Sequence, residues 1–268
     1  MRKDERGLYA ALLRHWRTRR GLSQLDLALQ AEVSSRHVSF LETGRSKPSR
    51  EMVLLLAATL DVPMRDQNVL LESAGFAPAF DEPRLDDGMP PIVVQTIDRM
   101  LAHHEPFPMF VMARTYDVLR TNAAAARLLG SMILDHTALS DPPNLMHAFF
   151  APRLARPFVV DWERSARLLL SRLHRESLAR STDEALARLV RSLLAYPKVP
   201  ESFSHPDFVS PSEPVFAVRL RRDNAELSFL ATITAFSVPQ NVTLDELRIE
   251  SYYPLDAATT AACAQSQG

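Results

Sequence analysis

The sequence predicts two domains: an all-α N-terminal domain of five short helices, then an α+β domain in which helices pack on an antiparallel sheet. Three observations carry this reading. Apolar residues recur at helical spacing from Leu8 to Leu71. The apolar period becomes that of strands from Met109, and again from Phe216. Charge also separates along the chain. The 268 residues carry a formal net charge of −1, yet residues 1–65 hold 12 Lys+Arg against 7 Asp+Glu, leaving the remainder at −6. A basic head on an acidic body is expected when one domain meets phosphate, with strongly salt-dependent affinity.

The first helix carries Leu8, Leu12, Leu13 and Trp16, with Arg14, Arg17, Arg19 and Arg20 on its wet side. The second and third lie in the run QLDLALQAEVSSRHVSFLETGRSKP, Gln24 to Pro48. Leu25, Leu27, Ala28 and Ala31 give one short apolar stripe, and Val38 and Leu41 give another after Val33. Ala28 is small where two helices cross, and Val33 and Val38 close the wedge between them. Ser34 or Ser35 caps the third helix, and Gly44 stops it. The pattern is a helix-turn-helix. Ser35, Arg36, His37 and Ser39 point outward as donors to base edges and phosphates. Gln24, Ser34, Arg45 and Lys47 complete the expected DNA contacts, Gln24 placed to hold a phosphate at a helix N-terminus. Ser49 caps a fourth helix (Met52, Val53, Leu55, Leu56, Leu60), and Pro63 opens a fifth that stops at Gly75.

This segment resembles the Cro/repressor-type (Xre) helix-turn-helix family through Gln24, Leu27, Ala28, Val33, Ser34, Val38, Glu42, Gly44 and Pro48. The resemblance implies a lambda-repressor-like domain over residues 1–76. One departure is the turn. The family often has glycine there, and this chain has Glu32, at a cost of about 1 kcal/mol if the position needs a positive φ.

Residues 77–91, APAFDEPRLDDGMPP, read as a linker, and 92–256 as the second domain. A helix runs from Pro91 to Leu101. His103, His104 and Glu105 follow, and read as a helix end before a proline break rather than a metal site. Strands are expected at 109–113, 117–121, 215–222, 226–236 and 247–253, the middle pair joined by a turn at Asp223-Asn224. Asn122 caps a helix after the first hairpin. Trp162, Ala166, Leu169, Leu170 and Leu173 form an amphipathic stripe, and Ser181 to Glu184 a capping box. Arginines decorate these helices, Arg167 and Arg172 among them. Most are solvated, with one or two able to turn inward on a ligand carboxylate. The hairpin running into an asparagine-capped helix resembles a PAS-type sensor domain. Residues 257–268, rich in Ala, Thr and Gln, read as a disordered tail.

Enzyme chemistry has no foothold in the motifs. Glycine is missing between Gly130 and Gly268, and GxGxxG, GxxxxGK[ST], GxSxG and HExxH are all missing. Ser204, His205 and Asp207 are too close in sequence to form a triad. No cofactor is implied. Cys263 is the single cysteine, so no disulfide within the chain is possible. A charged N-terminus and a longest apolar run of only Val53 to Leu60 fit a cytoplasmic protein without membrane spans. Met109, Phe110, Met112, Trp162, Phe216, Phe229 and Ile233 are candidate lining for an apolar cavity, or filling for an ordinary core.

At full length the chain resembles the MmyB-like transcription regulators. The stretches that carry this are RHVSFLETGRSKPSREMVLLLAATLDVPMRDQNVLLESAGFAPAF, AHHEPFPMFVMARTYDVLRTNAAAARLL and SFLATITAFSVPQNVTLDELRIESYYPLD. The resemblance implies an Xre-type helix-turn-helix joined to a PAS-like ligand-binding domain, and transcription control by a small molecule, fatty-acid-like or otherwise apolar. A homodimer on a double-stranded DNA operator is expected. The alternative is a regulator whose C-terminal domain serves only dimerisation or protein contact.

Overall fold

The computed structural model describes residues 3–179, 184–205 and 216–265. The chain divides into two compact units, residues 1–83 with 238–245, and residues 84–237 with 246–268.

In the first unit α1 (Lys3–Arg19), α2 (Gln24–Gln30), α3 (Ser35–Glu42), α4 (Arg50–Thr59) and α5 (Met64–Ser73) enclose one core. Tyr9, Leu13 and Trp16 enter it from α1, Leu27 and Ala28 from α2, and Val38 and Leu41 from α3. Val53, Leu56, Leu70 and Leu71 close it from α4 and α5. Local chemistry sets the boundaries. The hydroxyls of Ser34 and Ser49 accept from the backbone N–H groups of His37 and Met52, so Ser34 rather than Ser35 is the cap of α3. Gly44 and Gly75 stop α3 and α5 with φ of +68° and +88°.

Three expectations for this unit need correction. Leu8, Leu25 and Leu55, read as core-facing, are 53%, 57% and 43% exposed. The buried stripe on α1 is Tyr9, Leu13 and Trp16, a spacing that turns Leu8 to solvent. Arg17, expected on the wet side, lies on that same stripe and is buried. The unit also recruits a late segment. The Val242 N–H donates to the Asp81 carbonyl at 2.9 Å and the Thr243 hydroxyl to the Pro83 carbonyl at 2.6 Å, at the start of α11 (Val242–Glu246).

The second unit is α+β. Strands β1 (Met109–Met112), β2 (Val118–Thr121), β3 (Ala217–Arg222), β4 (Ala225–Thr234) and β5 (Arg248–Pro254) form one sheet in the order β2-β1-β5-β4-β3, every pairing antiparallel. Each strand lies within two residues of where the apolar alternation places it. This is the expected PAS-like sheet with helices. Helices α6 (Pro91–His103), α7 (Ala123–Ser131), α8 (Leu145–Phe150), α9 (Trp162–Ala179) and α10 (Glu184–Leu194) accompany it. The register pairs Val218 with Phe229 and Phe110 with Glu250, which puts Phe110, Met112, Val218, Leu220, Phe229 and Tyr252 on one sheet face. Leu169, Leu170 and Leu173 of α9 and Leu186, Leu189 and Leu193 of α10 pack into the same core. Asn122 caps α7 as expected, its side-chain oxygen accepting from Ala125 N–H. The Ser181–Glu184 capping box, Asp207 and the start of the expected 215–222 strand fall outside the described residues.

The tail differs from expectation. Residues 257–265 form a helix, α12 (Ala257–Gln265). Asp256 accepts from Thr259 N–H at 2.6 Å, and the fully buried Thr259 hydroxyl accepts from Ser228 N–H on β4 at 3.0 Å. An Ala/Thr composition hides a helix tied to β4 by the buried Thr259 hydroxyl and packed on the core through Cys263.

Candidate functional sites

The helix-turn-helix is built from backbone outward. Ser23 and Asp26 cap each other's backbone N–H groups at the start of α2. At its end, Val33 N–H reaches the Ala28 carbonyl at 2.9 Å and Glu32 takes a left-handed φ of +54°. This is the reversal that a glycine makes without strain. Glu32 therefore sits where the sequence departure was expected to be costly.

On α3, Val38, Leu41 and Glu42 face the core. At 100° per residue the opposite side carries Arg36, Phe40 and Thr43, with Ser39 beside them and Ser35 and His37 on the two flanks. Arg36 and Ser35 are exposed, and His37 and Ser39 half-buried. Arg45 and Lys47 follow in the exposed turn after Gly44. Arg36, Arg45 and Lys47 join no ion pair among the described residues. Phe40 was missed by sequence reading, although its place four residues after Arg36 assigns it to the same side. The guanidinium carbons of Arg36 and Arg45 stand 5.2 and 5.9 Å from its ring centroid.

Behind this surface lies a buried polar network. Arg17 Nε and Nη2 donate to Glu42 Oε1 and Oε2, Arg17 Nη1 donates to the Leu22 carbonyl at 2.7 Å, and Gln24 Nε2 donates to Glu42 Oε2 at 2.7 Å. The Gln24 amide thus holds the base of α3, where the sequence had assigned it a phosphate; Ser34 is engaged as a cap. The hydrogen bond it donates to Glu42 holds the Arg17 guanidinium above its ordinary pKa, and burial followed by the Glu42 charge raises the Tyr9 hydroxyl.

In the second unit the proposed ligand lining separates. Phe110, Met112 and Phe229 are at most 2% exposed within one core, and Trp162 and Phe216 pack against it. The Trp162 indole N–H donates to the Phe149 carbonyl at 3.0 Å beneath the Arg156 guanidinium. Met109 is buried on the other face of the sheet, because successive strand residues alternate. Ile233 is 39% exposed near the end of β4. A cavity of about 380 Å³ opens elsewhere, between Leu139, Ala151, Leu154, His147 and Tyr196. There Tyr196 Oη lies 3.0 Å from His147 Nδ1, and burial lowers the His147 pKa. A smaller one of about 150 Å³ is lined by Leu128, Leu227, Phe229 and Cys263.

The same core holds charges that no periodicity announced. Glu176 of α9 is gripped by Arg172 Nε at 2.9 Å and by Arg248 Nη1 and Nη2 at 3.1 and 2.9 Å, while Arg248 also donates to the Tyr116 hydroxyl at 2.7 Å. Burial pushes the Glu176 carboxyl up, but Arg248 and Arg172 outweigh it and hold it low. Glu250 is fully enclosed and accepts from the Tyr252 hydroxyl at 2.8 Å. Burial raises its pKa against the pull of Tyr252, Arg172 and Arg248. Tyr116 reaches this cluster from a left-handed φ of +68°, an uncommon state for a bulky residue.

Among the described arginines of α9 and α10, Arg172 turns into this cluster. His104 Nε2 lies 3.1 Å from the Tyr252 carbonyl, and Glu105 Oε1 accepts from Ala124 N–H, so both belong to the packing of β5 and α7.

The helix-turn-helix with its exposed cationic third helix defines a DNA-binding transcription regulator, and a helix-turn-helix family profile matches residues 13–67. A profile for the MmyB-like transcription regulator ligand binding domain matches residues 93–265, and the chain belongs to that family. Both matched families are transcription-regulator domains. No curated protein matches the chain. Among solved structures it is similar to the structure of an RNA-binding light-oxygen-voltage receptor, at 13% identity and a TM-score of 0.27, over 97% of this chain and 63% of that one. No helix among the described residues is long and apolar enough to cross a membrane.

Proposed function

We propose that the protein is a cytoplasmic, ligand-responsive, sequence-specific transcription regulator. Its DNA-binding unit meets a palindromic operator as a homodimer, and its C-terminal domain binds an apolar small molecule, fatty-acid-like in class. The observation that carries the DNA half is the solvent side of α3, where Arg36 stands exposed, as are Arg45 and Lys47 after it, with no carboxylate partner among the described residues. In this reading Arg36, Ser35, His37 and Ser39 read bases or adjacent phosphates, while Arg45, Lys47 and the N-terminal turns of α2 and α3, at Gln24 and Ser34, fix the backbone. The ligand half is supported by the family match over residues 93–265 and by a 380 Å³ cavity of mostly apolar lining, within the range of small-molecule sites. The ligand acts by its differential affinity for two states of the protein.

A second reading is favoured by one observation: Phe110, Met112 and Phe229 are buried together in the hydrophobic core. In that case the C-terminal domain serves dimerisation or protein contact alone. Native mass spectrometry of the purified protein, followed by denaturing extraction, separates the two. A retained apolar metabolite supports the sensor. A clean apo mass, with no thermal shift from a panel of fatty acids, supports the contact domain.

A further inference from the structure

Phe40 is a large aromatic residue that the core does not use. It belongs neither to the buried cluster of the first unit nor to the partly buried residues packed on it. It stands instead on the solvent side of α3, one turn beyond Arg36, with the Arg36 and Arg45 guanidinium groups near its ring. Its neighbours on that side are cations and hydroxyls, so an apolar ring in the middle is a chemical exception.

A phenyl ring offers a base edge no hydrogen-bond donor or acceptor. In the major groove the one apolar feature a base presents is the thymine C5-methyl group, and phenylalanine is among the residues that contact it. The two arginines limit the ring's motion and carry charge to the flanking phosphates, which positions the ring for contact without spending its own conformational freedom in the complex. Four residues of helix span about 6 Å, roughly two base steps, so Arg36 and Phe40 reach nearby but separate base pairs.

We propose that Phe40 is a specificity-determining residue that reads a thymine methyl group in the operator, within a few base pairs of the base or phosphate met by Arg36. This rests on α3 being the DNA-facing helix, and the test distinguishes failure of that reading from failure of this one.

The experiment begins with an operator selected by the full-length protein from a random pool of duplexes. Each thymine of the selected site is then replaced in turn by deoxyuridine, which removes only the C5-methyl. The expected result is one position per half-site at which the replacement weakens binding about fourfold, the equivalent of ~0.8 kcal/mol for one carbon removed from water. Phe40→Ala should bind the parent operator more weakly and lose the difference between thymine and uracil at that position, while its melting temperature and its affinity for random duplex stay unchanged. If Phe40 merely orients the two arginines, Phe40→Ala weakens binding but no deoxyuridine replacement does, and the proposal is wrong. If no sequence is enriched at all, the DNA-facing role of α3 falls and this proposal with it.

Discussion

Arg17 and Glu42 meet in a two-pronged ion pair, Nε to Oε1 at 2.6 Å and Nη2 to Oε2 at 2.9 Å, that ties α1 to the last turn of α3. The side chains are 10% and 2% exposed. A buried pair adds little net stability over an apolar filling, but removing one partner leaves an uncompensated charge.

Glu42→Ala is therefore expected to destabilise the helix-turn-helix unit by about 3–5 kcal/mol. The double substitution Arg17→Met with Glu42→Leu should cost much less than the two single changes added together. Urea denaturation of all three variants checks this, and additive losses would show that the pair is not coupled.

Glu32 holds φ +54° where glycine is unstrained. Glu32→Gly should stabilise the unit by about 1 kcal/mol, because relief of the left-handed strain exceeds the extra freedom glycine gives the unfolded chain. A lowered melting temperature would mean that the Glu32 side chain itself contributes more than its backbone strain removes.

Glu250 makes stability fall with rising pH. Burial raises its folded-state pKa above the ordinary 4.5, so the folded protein keeps a proton that the unfolded chain has released. This contribution is fully present below 4.5 and is lost as pH rises through the folded value. Glu250→Gln keeps an oxygen for the Tyr252 hydroxyl and cannot ionise. It should raise the melting temperature near pH 8 and change it little near pH 4, a gain of about 1–3 kcal/mol at the higher pH. Equal effects at both pH values would rule out ionisation as the cause.

Arg36→Ala should weaken operator binding by about 1–3 kcal/mol and relax preference at one base position if the guanidinium reads a base. Lys47→Ala should weaken binding evenly across sequences and lower the salt slope by about 1, the mark of a phosphate contact. Competition binding at several salt concentrations distinguishes these two behaviours, and an Arg36→Ala protein with unchanged preference would remove Arg36 from base reading.

Helix ends were legible because their causes are local. Ser34, Ser49, Asn122, Gly44 and Gly75 each act within a few residues of themselves. Strands were legible from alternation, within two residues at each end. The exposed cations of α3 followed from the same periodicity. What escaped was long-range and polar. Arg17 and Glu42 are separated by 25 positions, and Arg248 and Glu176 by 72. No local pattern distinguishes an arginine that turns inward from one that stays wet, since the difference depends on a carboxylate supplied by another element. Phe40 escaped for a different reason: periodicity put it beside Arg36, but an aromatic among polar contacts drew no notice until packing showed that the core does not include it.

The late segment 238–245 belongs to the DNA-binding unit, so the chain crosses between units at three places rather than one. A protease cut within residues 84–91 would not liberate a whole N-terminal unit, because its last piece would remain on the other fragment. A gene truncated after residue 83 likewise encodes an incomplete object, lacking the partners that cap the Asp81 and Pro83 carbonyls. Moving the DNA-binding unit into another protein would require transplanting both pieces together, so this fold does not offer its reader as a detachable part.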